Sequence, residues 1–164
     1  MSDPAPTSHE HSERTLAVIA ALEAAGHPNT VRRTGSAPTA AAAAAELGCD
    51  VGAITNSLVF MADGEPLLVL SSGEHRVDTA GLAARLGKQR IKRANPEQVA
   101  SASGQVIGGV SPVGHPAPIE TVIDESLRRF PALYAAAGEH DTIFATTFDR
   151  LLALTGARAM QTAE

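Results

Sequence analysis

The clearest pattern of apolar and polar positions lies in the middle of the chain. Two apolar runs, SLVFMA at 57–62 and PLLVLSS at 66–72, are separated by the dipeptide Asp63-Gly64. An Asp-Gly pair between two such runs is a strong short-range sign of a β-hairpin. We therefore predict two antiparallel strands over 57–72.

Several helices are predicted from their capping residues, because a Ser, Thr, Asp or Asn precedes each helical run and a glycine follows it. The first helix starts at Ser12 or Thr15 and presents Leu16, Ile19 and Leu22 on its apolar face. Three more are predicted within 39–48, 78–87 and 95–104, the last with Pro96 at its first position.

The remaining elements are short. Strands are predicted at 30–33, 88–93, 119–124, 133–138 and 142–147, and further helices at 125–130 and 148–154. Strands and helices follow one another without regular βαβ alternation, which predicts an α+β fold with a mixed or largely antiparallel sheet. We expect residues 1–11 to be a disordered tail and residues 12–164 to form a single domain.

Composition narrows the class of protein. The chain has 164 residues, 3% aromatic residues and one cysteine, Cys49, so a disulfide scaffold is excluded and a reducing compartment is favoured. No apolar run approaches the roughly 20 residues needed to span a bilayer, and the polar N-terminus lacks the pattern of a signal peptide. These features predict a cytoplasmic protein that does not interact with membranes.

The net charge of −5 argues against general binding of DNA or RNA, but one segment is strongly basic. The sequence RLGKQRIKR at 85–93 carries five positive charges, and a strand over 88–93 would place Lys88, Arg90 and Lys92 on one face. This segment is interpreted either as an edge strand protected by charge or as a patch that binds tRNA phosphates.

Common catalytic motifs are absent from the sequence. The histidines do not have the spacing of zinc ligands, and there is no nucleophile elbow, phosphate-binding loop or dinucleotide-binding motif. The segment GGVSPVGH at 108–115 remains. Paired glycines allow the backbone to approach a ligand closely and to present N–H groups that stabilise an oxyanion, although a tight structural loop explains them too.

At this loop the chain resembles the YbaK/EbsC-like family, which is related to the editing domain of bacterial prolyl-tRNA synthetases. The resemblance covers roughly residues 30–160, and the matching segments occur in the same order along both chains. They are AAAAAELG, ITNSLVF, PLLVLSSGEHRVD, LAARLG, NPEQVASASGQVIGGVSPVGH, TVIDESL, YAAAG and LLALTGA.

The resemblance implies a YbaK-like fold, with a mixed sheet or a partly closed barrel flanked by helices. It also implies a trans-acting hydrolase that removes a mis-attached small amino acid from tRNA without a metal or organic cofactor. The expected partners are mischarged tRNA and, as an option, an aminoacyl-tRNA synthetase, but not DNA.

The family pattern also suggests site residues. Members with established editing carry a lysine where this chain has Asn56, so Asn56 is expected to hold the ester with Gly108 and Gly109 in catalysis. Residues expected to bind substrate are Ser111, Pro112, Gly114, His115, Asp124 and His140. Helix capping explains Asp124 equally well, and a surface turn explains His140.

Because Asn56 replaces the lysine, two alternatives stay open. One is a non-catalytic module that binds aminoacyl-tRNA or a synthetase, and the other is an enzyme that acts on a non-tRNA acyl substrate.

Overall fold

A computed structural model describes residues 11–35 and 39–164. These residues form five α-helices and eight β-strands. The helices are α1 (Glu13–Ala24), α2 (Ala40–Leu47), α3 (Thr79–Leu86), α4 (Pro96–Ser103) and α5 (Phe148–Thr155). The strands are β1 (Arg32–Arg33), β2 (Ile54–Ala62), β3 (Glu65–Ser72), β4 (Ile91–Arg93), β5 (Glu120–Asp124), β6 (Leu133–Ala136), β7 (Thr142–Thr146) and β8 (Arg158–Met160).

The strands form one open, mixed sheet in the order β1-β7-β6-β2-β3-β5-β8, with β4 paired to β2 beside this path. Pairs β1/β7, β2/β3, β2/β4 and β6/β7 are antiparallel, whereas β2/β6, β3/β5 and β5/β8 are parallel. The predicted α+β fold with a mixed sheet is confirmed, and the sheet is not closed into a barrel.

Apolar side chains from both faces of the sheet are covered by helices. Helices α1, α4 and α5 pack on one face, and α3 packs on the other, where Leu82 lies in a cluster with Phe60 and Leu67. Alternation along β2 therefore sends Val59 to one side and Phe60 to the other.

The predicted capping residues occupy their expected positions. The side chains of Ser12, Thr39, Asp78 and Asn95 each accept a backbone N–H at the start of α1 to α4. The predicted Asp63-Gly64 turn joins β2 to β3. Each capping side chain accepts a hydrogen bond from an N–H group that the helix itself leaves unpaired. These interactions are local in sequence, so the starts of the helices could be predicted from the sequence alone.

Three details of the prediction were wrong. The first helix buries Thr15, Val18 and Leu22, whereas Leu16 and Ile19 are only half-buried. Strand β4 begins at residue 91 rather than 88, because the Asp63 carboxylate accepts the backbone N–H groups of residues 89 and 90 and holds them in a turn. The short strand β8 was not predicted, since its three residues show no clear periodicity.

The predicted disordered tail falls almost entirely on residues 1–10, which lie outside the described residues. Among the helices that the structure describes, none is long and apolar enough to cross a membrane.

Candidate functional site

A cavity of about 450 Å³ lies between the sheet and helix α2. Its floor is one face of β2, β6 and β7, because register and alternation place their lining residues on the same side. These floor residues are Ile54, Asn56, Leu58, Tyr134, Ala136 and Ile143. The roof is formed by Ala40, Ala43 and Leu47, whose spacing along α2 puts them on one helix face.

Asn56 is a polar side chain within this largely apolar floor. It is half-buried, and its side-chain amide has no hydrogen-bond partner among the described residues. An asparagine amide offers two donors and an acceptor. The amide is therefore free to bind a ligand in the cavity.

The segment 108–115, called the glycine loop below, lines the cavity only with its first residues, together with the preceding Ile107. Ile107, Gly108 and Val110 line it, and Gly108 has a φ of +90° with open space where a side chain would begin. Gly109 packs instead against the backbone of Glu139, and its carbonyl accepts the N–H of Gly138. Glycine is therefore required at the two positions for different reasons. Gly108 adopts a left-handed backbone conformation, and Gly109 packs too closely on the Glu139 backbone to carry a side chain.

Gln105 anchors this loop from beneath and was not identified from the sequence. Its side chain is 2% exposed, its Oε1 accepts the N–H of Ser111 at 2.8 Å, and its Nε2 donates to the carbonyl of Val113 at 3.1 Å. A lone polar residue in an uncharged, glycine-rich segment was the available signal. Gln105 fixes the course of the loop that carries Gly108.

The second half of the loop lies away from the cavity. Ser111 is fully buried, and Pro112, Gly114 and His115 line a groove beside α1, where Gly114 abuts Val18. His115 donates from Nε2 to the carbonyl of Ser111 at 2.7 Å, and burial lowers the pKa of its imidazole despite this hydrogen bond. These residues support the loop rather than line the cavity.

Asp124 lies outside the cavity as well. Its carboxylate is almost fully buried, accepts from Nδ1 of His75 at 2.8 Å, and caps the 3₁₀ helix Glu125–Arg129 through the N–H of Ser126. The sequence left Asp124 either as a substrate-binding residue or as a helix cap, and the structure shows the cap.

His140 and Tyr134 also line the cavity, Tyr134 on its floor. The described lining residues include no Asp, Glu, Lys or Arg. In the described ranges, no group of three or more His, Cys, Asp or Glu is placed to bind a metal ion. The chemistry available from these residues is therefore hydrogen bonding by neutral donors in an environment of low polarity, where such bonds are strengthened.

Two further hydroxyls belong to residues that line the cavity. The Oγ1 of Thr55 and the Oγ of Ser57 are buried and have no hydrogen-bond partner within the described ranges. Buried hydroxyls are usually paired, so this part of β2 is unusually rich in unsatisfied polar groups.

The basic segment lies at the far end of β2. Met61 of β2 pairs with Lys92, five residues from Asn56 and thus roughly 16 Å along the strand. Arg90 and Lys92 are exposed, but Lys88 lies before β4 and its ammonium is 3.7 Å from the Glu120 carboxylate. The prediction that one strand places Lys88, Arg90 and Lys92 on the same face is therefore wrong, because β4 contains only residues 91–93.

Comparisons with known proteins agree with this geometry. The chain is 34% identical over 119 residues to a proline–tRNA ligase of Nitratidesulfovibrio vulgaris, covering 62% of this chain and 21% of the ligase. It is 28% identical to the uncharacterized protein YwhH of Bacillus subtilis, covering 68% of this chain and 71% of that protein.

A solved structure described as that of a proposed trans-editing enzyme for prolyl-tRNA synthetase superposes with a TM-score of 0.87 at 38% identity, covering 94% of this chain and 99% of the other. The model of the aminoacyl-tRNA editing domain matches residues 34–154, which include β2, the glycine loop and the whole described cavity lining. The chain therefore belongs to the aminoacyl-tRNA editing domain family.

Proposed function

We propose that the protein is a trans-acting editing hydrolase that removes a mis-attached small amino acid from the 3′ end of tRNA. The observation that carries this proposal is the cavity between α2 and the sheet, with the free amide of Asn56 on its apolar floor. Family membership and the similarity to proline–tRNA ligases support a tRNA charged by a prolyl-tRNA synthetase as the substrate.

The reaction adds water across the ester bond between the amino acid and the terminal ribose. The carbonyl carbon gains a bond to the attacking oxygen, the bond to the ribose oxygen breaks, and the free amino acid and the ribose hydroxyl are released. Asn56 donates to the carbonyl oxygen as negative charge develops on it. The apolar walls strengthen this hydrogen bond by excluding water.

The size of the amino acid is limited by the cavity walls. Ile143 and Ala136 lie on the floor, and His140 lies at the wall. A synthetase gains only about 1–3 kcal/mol per methylene in an apolar pocket, so small amino acids escape its discrimination and require a second, hydrolytic sieve. We assign the three residues to this sieve.

Substitution of Asn56 tests the proposed role directly. Asn56→Ala should lower kcat/KM for a mischarged tRNA by roughly tenfold or more, since it removes a donor worth about 1.5–3 kcal/mol. Asn56→Lys should preserve or raise kcat/KM, because an ammonium stabilises the same developing charge more strongly. Equal kcat/KM in all three proteins would remove Asn56 from the mechanism.

The basic residues at β4 supply the proposed contact with the tRNA body. Each phosphate contact adds nearly one unit to the salt dependence of binding. The double variant Arg90→Gln/Lys92→Gln should flatten the plot of log binding constant against log salt by about two units. Hydrolysis of an aminoacyl-adenosine should be unchanged, because that substrate has no phosphate to contact.

Lys88→Gln is the matched control, since the Lys88 ammonium lies 3.7 Å from the Glu120 carboxylate and Lys88 is the least exposed of the three cations. It should change the salt slope much less than the double variant. A wild-type slope in the double variant would show that the segment is only a solvated surface.

A second candidate is a non-catalytic module that binds the aminoacyl end of tRNA. The neutral lining of the described cavity and the asparagine at position 56 favour it. It predicts tight binding of mischarged tRNA with no release of the amino acid.

A further inference from the structure

One edge of β2 is open beside the cavity. Strand β3 pairs with β2 from Thr55 to Ala62 on one side. On the other side, pairing with β6 ends at Thr55 and pairing with β4 begins at Phe60. Within the part of the chain that the structure describes, residues 56–58 therefore have no neighbouring strand on this side, and Ser57 lies in the middle of the gap.

The backbone of Ser57 points into this gap. The carbonyl of Ile54 accepts the N–H of Gly73 on the β3 side, and successive residues of a strand direct their N–H and C=O groups to alternate sides. Positions 55, 57 and 59 consequently point away from β3. The carbonyl of Val59 confirms this alternation, because it accepts the N–H of Ala94 at 3.2 Å.

Among the described residues, the N–H donor and the C=O acceptor of Ser57, which lines the cavity, thus have no backbone partner. Backbone groups in such positions are nearly always paired in native proteins. A neighbouring residue of an antiparallel strand would normally satisfy both, by giving its N–H and accepting with its C=O.

An α-aminoacyl ester carries the same two groups at the same spacing, an α-ammonium donor and a carbonyl acceptor on adjacent carbons. We propose that the aminoacyl end of the substrate occupies the place of this missing strand residue. The Ser57 N–H donates to the ester carbonyl, and the Ser57 C=O accepts from the α-ammonium. This inference rests on the proposed function and deepens it, because it makes a free α-amino group a requirement for recognition.

The arrangement also complements Asn56. A carbonyl oxygen has two lone pairs, so it accepts from the Asn56 amide on the floor and from the Ser57 N–H at the strand edge. The hydrogen bond from the α-ammonium is charge-assisted and orients the acyl group before attack. Ser57 is a binding and catalytic residue through its backbone, whatever side chain it carries.

The test uses adenosine analogues in which a stable 3′-amide replaces the ester, so that binding is measured independently of hydrolysis. Three acyl groups are compared by calorimetry: alanyl, with an α-ammonium; lactyl, with a hydroxyl donor; and propionyl, with no donor. The alanyl compound should bind at least tenfold more tightly than the propionyl compound, because the latter leaves the Ser57 C=O unpaired, and the lactyl compound should lie between them. Equal dissociation constants for the three, or no binding of any, would overturn the inference.

Two variants test the residue itself. Ser57→Pro removes the N–H that points into the gap without removing a bond to β3, and proline is tolerated at such open edges. Ser57→Ala keeps the N–H and removes only the hydroxyl. We expect Ser57→Pro to lose tenfold or more in affinity for the alanyl analogue and Ser57→Ala to stay within about threefold of wild type.

A folded Ser57→Pro protein with wild-type affinity would contradict the inference. If that variant does not fold, the comparison of the three analogues on the wild-type protein still tests the inference. Failure of the proposed function is a distinct result: the alanyl analogue binds in the expected order, while no aminoacyl ester is hydrolysed.

Discussion

Replacing Gln105 with leucine should lower the melting temperature strongly. The leucine has a similar volume but pairs with neither the N–H of Ser111 nor the C=O of Val113, both of which it would leave buried. Each of the two unsatisfied groups costs about 1–3 kcal/mol, so a loss of about 2–6 kcal/mol and a fall of roughly 4–24 °C are expected. Differential scanning calorimetry measures the change.

The control is Gln89→Leu, the same chemical change at an exposed position. It should leave the melting temperature nearly unchanged. If the two variants have the same melting temperature, the two hydrogen bonds of Gln105 do not stabilise the loop that carries Gly108.

Gly109→Val should prevent stable folding rather than block the site. A Cβ atom at this position would lie 2.7 Å from the carbonyl carbon of Glu139, and the three nearest atoms all belong to the Glu139 backbone, so no flexible side chain can move aside. The Gly138 N–H also donates to the Gly109 carbonyl at 3.0 Å, which ties the two segments together. We expect a fall of more than about 5 °C in melting temperature, or no folded protein.

Gly108→Ala provides the comparison within the same loop. No atom of the described residues lies within 4 Å of the position of its Cβ, so the expected cost in stability comes from the positive φ, about 1–2 kcal/mol. Its effect on kcat/KM should exceed its effect on stability, because the methyl group is added to a residue that lines the cavity. A Gly109→Val protein that folds as well as wild type but is inactive would place Gly109 at the substrate after all.

The elements that sequence analysis predicted well are those fixed by neighbouring residues. Helix α2 follows from Thr39 and Gly48, and the β2–β3 hairpin from Asp63 and Gly64. The parallel pairing of β3 with β5 could not be predicted in this way, because it joins segments about 50 residues apart. Strand β8 was missed for the same reason, because it pairs with β5 across more than 30 residues of sequence.

The site was predicted in part for a similar reason. Asn56, Gly108 and His140 were selected through the family resemblance, and the fold brings them to one cavity from three separate segments. Nothing in the sequence near Ser57 indicates that β6 stops at one side of it and β4 starts at the other. Gln105 was overlooked because its importance lies in two backbone groups that become buried only in the folded loop.

The most direct test of the central claim is deacylation of a panel of mischarged tRNAs by the wild-type protein. Purified tRNA specific for proline is charged with proline, alanine, serine or cysteine, and release of the amino acid is followed over time. We expect the protein to release at least one small non-cognate amino acid well above the spontaneous rate and to leave proline attached, and we expect Asn56→Ala to slow the release. Binding of these tRNAs without release of any amino acid would contradict hydrolysis and establish the binding module instead.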